Sequence, residues 1–306
     1  MIDKSSPYFK QAELVVQVLP LIAQYDCFAL KGGTAINLFV QNMPRLSVDI
    51  DLTYLPVQER DESLANIEKT LRQIAKDIKK HVVGSTVKEI PIKNPKMISK
   101  LNVFRGDIQI KIEPNLVIRG SVFPCENRDL SPKAKETFEM STTIRVVSLS
   151  DLYGGKICAA LDRQHPRDLY DIKFFLDSEG ITEQIWKGFL VHLMSHDRPI
   201  HESLHPILKD IREVYETDFQ GIAYDYVPYE ELVRARAHLI KLIKQKLTKD
   251  DKEFLLSFKR GQPKWSLLGI DGVERLPAVR WKLFNIQKMD KIKREDFVQK
   301  LKAVLN

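Results

Sequence analysis

The stretch Lys31-Gly32-Gly33-Thr34, followed by Ser47-Val48-Asp49-Ile50-Asp51-Leu52, decides the fold of this chain. The apolar run at residues 27–30 predicts a strand before the glycines, and the helical spacing of apolar residues after Thr34 predicts a helix. Glycine lets the backbone adopt positive φ and approach an anion closely, and a helix N-terminus favours phosphate. The pattern therefore predicts a phosphate-binding turn formed by Gly32, Gly33 and Thr34.

Two carboxylates follow this turn on a second predicted strand. Alternation places Asp49 and Asp51 on one face of that strand, where they would repel each other unless a cation lay between them. Hard oxygen ligands of this kind suit magnesium that is bound together with substrate phosphates. Each pattern also has a plainer interpretation, since glycine pairs are common in turns and an Asp-x-Asp strand is often a solvated face. Their combination in this order favours nucleotide chemistry.

A further group of charged residues lies between positions 149 and 171. Lys156 and Arg163 share one face of a predicted helix with the small residue Ala160. Pro166 predicts the start of the next helix, which puts Asp168 near a helix N-terminus, where a carboxylate is favoured. Asp168 is then within reach of Lys156 or Arg163. The alternative is a helix-turn-helix joint held by surface ion pairs.

Taken together, these regions resemble the AbiEii/MenT-type nucleotidyltransferase toxins of bacterial toxin–antitoxin and abortive-infection systems, within the DNA polymerase β-like superfamily. That family pattern is a Gly-Gly-Thr/Ser turn, then Arg-x-Ser-x-Asp-hydrophobic-Asp-Leu, then Lys-x3-Ala-x2-Arg, then Arg-Asp-x2-Asp. The chain carries it as Gly32-Gly33-Thr34, Arg45 to Leu52, Lys156/Ala160/Arg163 and Arg167-Asp168-x-x-Asp171.

The resemblance implies a fold and an activity. The expected fold is α/β (α+β), with a polymerase β-like nucleotidyltransferase domain built on a mixed sheet and a mainly helical C-terminal domain after it. The expected activity is transfer of a nucleotide from a nucleoside triphosphate (NTP) to an acceptor, and the 3′ end of tRNA is the acceptor for some family members. A cognate antitoxin is the protein partner that such a toxin implies.

The resemblance also implies roles for individual residues. Two Mg²⁺ ions would be held by Asp49 and Asp51, and a third carboxylate would complete one of the metal sites. Lys156 and Arg163 would neutralise phosphate charge, and Asp168 would orient Lys156 or act beside it. The residues implied in nucleotide binding are Gly32, Gly33, Thr34, Arg45, Ser47, Lys156 and Arg163.

The third carboxylate has two candidates on one predicted strand. Alternation from Ile108 to Ile112 predicts the strand, with Asp107 and Glu113 at its two ends. We favour Glu113 as catalytic residue and metal ligand because it ends the alternating run just before Pro114, whereas Asp107 follows Gly106 and suits a turn.

The charge distribution points to an anionic acceptor. The 306 residues carry a net charge of +7, and residues 241–306 hold 17 Lys and Arg against 8 Asp and Glu. Aromatic residues interleave with these cations, at Phe258, Trp265, Trp281 and Phe284. Such a stretch can bind a phosphate backbone while its aromatic rings stack on unpaired bases. The alternative is an amphipathic helical tail whose lysines are solvated and whose aromatic residues lie in the core.

The remaining sequence features concern location and domain organisation. No secretory signal and no membrane-length apolar run is evident, and the three cysteines are widely spaced, which together predict a cytoplasmic protein without a membrane partner. We predict a catalytic domain at residues 1–148 and a helical domain at 149–306 that contributes the Lys156 and Asp168 site residues and a basic C-terminal surface.

Three functions remain open at this stage. The leading one is an Mg²⁺-dependent nucleotidyltransferase toxin that modifies RNA, with tRNA as the expected acceptor. The same site could instead transfer a nucleotide to a protein or to a small molecule. The third possibility is a nucleic-acid-binding module without catalysis, which the intact carboxylates and Lys156 disfavour.

Overall fold

The computed structural model describes residues 3–92 and 97–306, and their contacts divide the chain into two units. The first unit comprises Met1–Ser148 together with Glu216–Val227. The second comprises Leu149–Tyr215 and Pro228–Asn306. The chain therefore leaves the first unit, returns to it once, and leaves it again.

A seven-stranded mixed sheet forms the centre of the first unit. Its strands lie in the order β3-β4-β5-β2-β1-β7-β6. The β1/β7 and β2/β5 pairs are parallel, and the other neighbours are antiparallel. The strands are β1 (Phe28–Lys31), β2 (Asp49–Tyr54), β3 (Ser85–Pro91), β4 (Ile98–Arg105), β5 (Ile108–Asn115), β6 (Glu126–Asp129) and β7 (Thr143–Val146).

Four α-helices accompany this sheet in the described part of the first unit. The longest, α3, begins with two acidic residues in its first turn and ends with basic residues in its last turn, which complements the helix dipole. Its apolar residues recur at helical spacing and are buried. The helices are α1 (Pro7–Ile22), α2 (Gly32–Ala35, continued by a π-helical turn at Ile36–Val40), α3 (Arg60–His81) and α4 (Pro132–Phe138).

Residues 216–227, which we call the strap, bring a late part of the sequence onto the first unit. The backbone N–H of Leu46 donates to the Ile222 carbonyl (2.8 Å), and that of Tyr224 donates to the Pro44 carbonyl (3.0 Å). Ile222 is fully buried. The strap thus supports the segment that leads into β2. No local sequence pattern predicts this return of the chain to the first unit.

The second unit is helical throughout its regular structure. The helix that begins at Lys249 is capped by neighbouring residues, because Thr248 and Asp251 form a reciprocal capping box at its N-terminus. In the described ranges, no helix combines the length and apolar character that crossing a membrane requires. The helices are α5 (Leu149–Asp162), α6 (Pro166–Ser178), α7 (Glu183–Ser195), α8 (Ile200–Leu204), α9 (Arg212–Val214), α10 (Tyr229–Lys246), α11 (Lys249–Lys259), α12 (Trp265–Leu268), α13 (Pro277–Lys288) and α14 (Lys291–Leu305).

Two glycines let α5 and α7 cross at backbone contact. A Cβ on Gly154 would lie 2.6 Å from the backbone of Gly188 and Phe189, and a Cβ on Gly188 would lie 2.3 Å from the Ser150 carbonyl oxygen. No side chain fits at either position unless the helices separate. This crossing holds α5, which carries Lys156, in place.

Neighbouring glycines on α5 should respond in opposite ways to alanine. We expect Gly154→Ala to destabilise the protein by about 1–3 kcal/mol, because the methyl group forces two packed backbones apart. Gly155→Ala should be neutral or stabilising by up to about 1 kcal/mol, since its Cβ would meet His192 at an ordinary 3.5 Å and alanine favours the helix. Urea unfolding of both variants measures the difference. Equal stabilities would show that the crossing tolerates a methyl group.

Candidate active site

The glycine turn lies directly against the carboxylate strand. Gly32 begins α2 with φ +72°, and a Cβ there would lie 2.3 Å from Oδ2 of Asp51. A Cβ on Gly33 would lie 2.7 Å from Nη2 of Arg45. Glycine is therefore required for the conformation at position 32 and for close packing at both positions. The turn and the carboxylates predicted from sequence form one local structure.

Buried polar side chains join the turn to β2. The Thr34 hydroxyl donates to the Asp49 carbonyl and lies 2.9 Å from the Ser47 hydroxyl. Arg45 is also buried and donates from Nη1 to the Leu46 carbonyl (2.8 Å). Thr34, Arg45 and Ser47, which we predicted to bind nucleotide, thus also support the turn from within the protein.

Strand pairing brings Glu113 beside the Asp-x-Asp pair. In the parallel β2/β5 register Asp51 lies opposite Glu113, and paired residues point to the same side of the sheet. Asp107 instead lies in the turn between β4 and β5, outside both strands. Glu113 is half-exposed, and its Oε2 lies 3.9 Å from Lys100 Nζ. The geometry therefore favours Glu113 over Asp107 as the third carboxylate.

The donor chemistry of this strand suits a divalent cation. Within the described ranges the Asp49 carboxylate has no hydrogen bond or ion pair. Asp49 lies two residues before Asp51 on β2, so the two side chains are on the same face of the strand. Over those same ranges no three His, Cys, Asp or Glu side chains converge on a point where they could hold a metal by themselves. Magnesium in phosphate sites is commonly held by one or two carboxylates and completed by phosphates and water. Asp49 and Asp51 fit that arrangement.

The contact between Gly32 and Asp51 gives a testable prediction. We expect Gly32→Ala to lower the rate of nucleotide transfer by about 100-fold, because the new methyl group must displace the Asp51 carboxylate. Gly84 is a matched control: its φ is +73°, and nothing in the described part of the chain lies within 4 Å of its Cβ position. Gly84→Ala carries the same backbone strain and should keep full activity. Equal activities in the two variants would remove the role assigned to the contact.

A charge cluster in the second unit contains the predicted Lys156 and Asp168. Lys156 Nζ lies 2.8 Å from Asp168 Oδ1 and 2.9 Å from Asp171 Oδ2, and all three side chains are buried. Arg163 Nη2 lies 2.8 Å from Asp168 Oδ2 and is itself exposed. The cluster thus pairs two cations with two carboxylates. It is not a surface joint, because only the guanidinium reaches solvent.

The electrostatics of the cluster favour full ionisation of Asp168. Burial alone would raise its pKa, but the charges of Lys156 and Arg163 outweigh burial and hold the pKa below its ordinary value. Asp171 stands in the family pattern, and it joins the cluster through its ion pair with Lys156. Its spacing of three residues from Asp168, one turn of helix, was the signal that both face Lys156.

A buried polar network fixes the joint between α5 and α6. Gln164 has φ +54°, and its Oε1 accepts from the Lys209 backbone N–H (3.0 Å) and from Arg236 Nη1 (2.9 Å). Its Nε2 donates to the Ile207 carbonyl (2.8 Å). Because Gln164 follows Arg163 directly, this network sets the position from which the Arg163 side chain extends.

The basic C-terminal region divides into core and surface. Phe258 is buried, and Trp265 packs against it with ring centroids 6.3 Å apart. Trp281 and Phe284 are exposed. Phe258 therefore lies in the core with Trp265 packed against it, whereas Trp281 and Phe284 lie at the surface.

The chain is similar to known proteins over almost its whole length. The family model of the AbiEii nucleotidyl transferase toxins of type IV toxin–antitoxin systems matches residues 13–298. Among solved structures, MenT4, a nucleotidyltransferase toxin from Mycobacterium tuberculosis H37Rv, aligns with a TM-score of 0.62 at 15% identity. That alignment covers 98% of this chain and 94% of MenT4, and it confirms the predicted α/β fold. A search of curated protein sequences gives no significant match.

Proposed function

The chain belongs to the AbiEii family of nucleotidyl transferase toxins of type IV toxin–antitoxin systems, and from this we propose that it transfers a nucleotide from an NTP to RNA. The 3′ end of tRNA is the acceptor we favour, on the family resemblance. The observation that carries the chemistry is the Gly32 turn packed on Asp51, which is itself in register with Glu113. We further propose that the reaction takes place in the cytoplasm, where an antitoxin opposes it.

The carboxylate strand would supply the reaction centre. The acceptor hydroxyl oxygen forms a bond to the α-phosphorus as the bond to the β-phosphate oxygen breaks, and pyrophosphate leaves. Asp49 and Asp51 would hold Mg²⁺, with Glu113 completing one site; bound Mg²⁺ stabilises charge on the attacking and leaving oxygens. Glu113 would also take the hydroxyl proton.

The remaining residues would hold the triphosphate. Backbone N–H groups at Gly32 and Gly33, at the start of α2, would donate to phosphate oxygens. The buried side chains of Thr34, Arg45 and Ser47 would hold the turn rigid. Arg163 would offer its exposed guanidinium to phosphate oxygens. Lys156 would act on phosphate charge within the cluster that Asp168 and Asp171 complete.

The RNA acceptor is supported by charge. Residues 241–306 hold 17 Lys and Arg against 8 Asp and Glu. An anionic polymer such as RNA would neutralise this excess of positive charge. This excess of cations favours an RNA acceptor over a protein or small-molecule acceptor.

Labelling of total RNA tests the proposal. The purified protein is incubated with total cellular RNA, Mg²⁺ and each α-labelled NTP in turn, beside an Asp49→Asn variant. We expect label in a tRNA-sized band with one or more NTPs, from the unaltered protein alone. Label on protein, or label equal in both proteins, would contradict an RNA-directed activity of this site.

A further inference from the structure

Helix α13 presents an aromatic pair to solvent. Trp281 is 57% exposed and Phe284 44% exposed, and their rings stack with centroids 5.9 Å apart at 22°. Lys288 Nζ lies 4.2 Å from the centre of the Phe284 ring. These residues stand at positions i, i+3 and i+7, so they share one helix face. Large aromatic side chains are costly to leave in water, which marks this face as a binding surface.

The charge of α13 indicates what binds there. Pro277–Lys288 contains Arg280, Lys282 and Lys288 and no acidic residue, and α14 continues with Lys291 and Lys293. Flat rings flanked by cations suit an anionic chain that carries stacking groups. A purely apolar protein partner would gain nothing from these cations.

A buried lysine beside the same helix adds a second observation. Lys259, at the end of α11, is 5% exposed, and its Nζ lies over the Phe297 ring at 4.2 Å. In residues 3–92 and 97–306 no carboxylate pairs with it. Burial and the nearby charge of Lys282 lower the pKa of Lys259 to about 8. A buried cation that is held by an aromatic ring and has no carboxylate in the described ranges is stabilised when an anion from outside joins it.

We propose that α13 is the docking surface for an unpaired segment of the RNA acceptor. Bases of that segment would stack on Trp281 and Phe284, and one of its phosphates would bind Lys259. Lys282 Nζ already donates to the His196 and Asp197 carbonyls. The inference rests on RNA being the acceptor and goes beyond it by naming where the RNA is held. Unpaired RNA is required because bases within a helix present no free face to an aromatic ring.

Removal of the aromatic pair tests the base-stacking part. The Trp281→Ala/Phe284→Ala double variant should bind an oligouridylate of about 12 nucleotides, and tRNA, about 10- to 100-fold more weakly than the unaltered protein. Val83→Ala is the matched control, because Val83 is an exposed apolar residue of the first unit. In the unaltered protein, RNA should also quench the fluorescence of the exposed Trp281. Equal RNA affinity in the double variant and the unaltered protein would overturn the inference.

RNA binding and RNA labelling, measured on the same two proteins, distinguish failure of the docking surface from failure of the proposed function. If the unaltered protein neither binds nor labels RNA, the RNA-directed activity fails. If it labels RNA and the double variant labels RNA equally well at limiting RNA, the activity stands and the docking surface fails. An antitoxin protein that binds the unaltered chain and not the double variant, with RNA binding intact in both, would assign α13 to a protein partner instead.

Lys259 offers a test with two readouts. Lys259→Met should weaken RNA binding by about 5- to 10-fold, the loss of one phosphate contact, and should reduce the dependence of binding on salt. The same variant should unfold at a higher temperature than the unaltered protein, because it removes an unpaired buried charge. Unchanged RNA affinity, or weaker binding accompanied by a lower unfolding temperature, would overturn the phosphate assignment.

Discussion

Asp49→Asn is expected to lower nucleotide transfer by roughly 10³-fold or more while leaving the fold intact. The carboxylate of Asp49 has no hydrogen bond or ion pair in the described ranges, so the nearly isosteric amide breaks no structural contact. The amide removes the negative charge that a divalent cation requires. Transfer is measured with labelled NTP and RNA, and folding is measured by circular dichroism and thermal unfolding.

Asp107→Asn is the matched control for this experiment. The two candidates for the third carboxylate are Glu113, on β5, and Asp107, which lies in the turn between β4 and β5. We expect Asp107→Asn to keep full activity and Glu113→Gln to lose most of it. An active Asp49→Asn protein would refute the reaction centre, and an inactive Asp107→Asn protein would refute the choice of third carboxylate.

Lys156→Met is expected to have the largest effect on stability, about 3–5 kcal/mol at neutral pH, together with loss of activity. The substitution leaves Asp168 and Asp171 buried with Arg163 as their remaining cationic partner in this cluster. A double variant, Lys156→Met/Asp171→Asn, restores the balance of one cation and one carboxylate. It should recover much of the lost stability and remain inactive. Urea unfolding measures the first result and labelling of RNA the second.

The pH dependence of the Lys156→Met deficit follows from the same charges. In the unaltered protein the pKa of Asp168 is lowered, so its stabilising contribution is present above the ordinary aspartate pKa and is lost as the pH falls through the lowered value. Without Lys156, burial should raise the carboxylate pKa values instead, and protonation then favours the folded state. The stability deficit should therefore shrink as the pH falls from 7 towards about 4. A deficit that grows on acidification would contradict this account.

Much of the carboxylate site follows from local sequence. Glycine pairs, strand alternation and helix spacing are short-range signals, and they place the turn, Asp49, Asp51, Lys156 and Asp168 on the elements where the structure has them. The catalytic roles of these residues remain predictions. The order of the strands could not be predicted from local sequence. The pairing of β2 with β5 joins residues about sixty positions apart and depends on packing of the whole sheet.

The burial of the aromatic residues in the C-terminal region could not be predicted from the local sequence pattern. Phe258 and Trp281 both stand among lysines in the sequence, yet one is buried and the other is exposed. Their difference depends on how α11 and α13 pack within the second unit, which no spacing within either helix specifies. Lys259 is a related case. A lysine in a basic stretch is predicted to be exposed to solvent, whereas Lys259 is buried.

The strap has a consequence for the order of synthesis. Because Glu216–Val227 belongs to the first unit, a chain released early from the ribosome, anywhere before residue 227, lacks part of the support behind Arg45 and Leu46. The backbone N–H of Leu46 then has no Ile222 carbonyl to bind, and the surface that buries Phe219 and Ile222 stays open to water. The first unit is therefore completed late in translation. Fragments that end before residue 227 should therefore be less stable than the whole chain and more readily degraded.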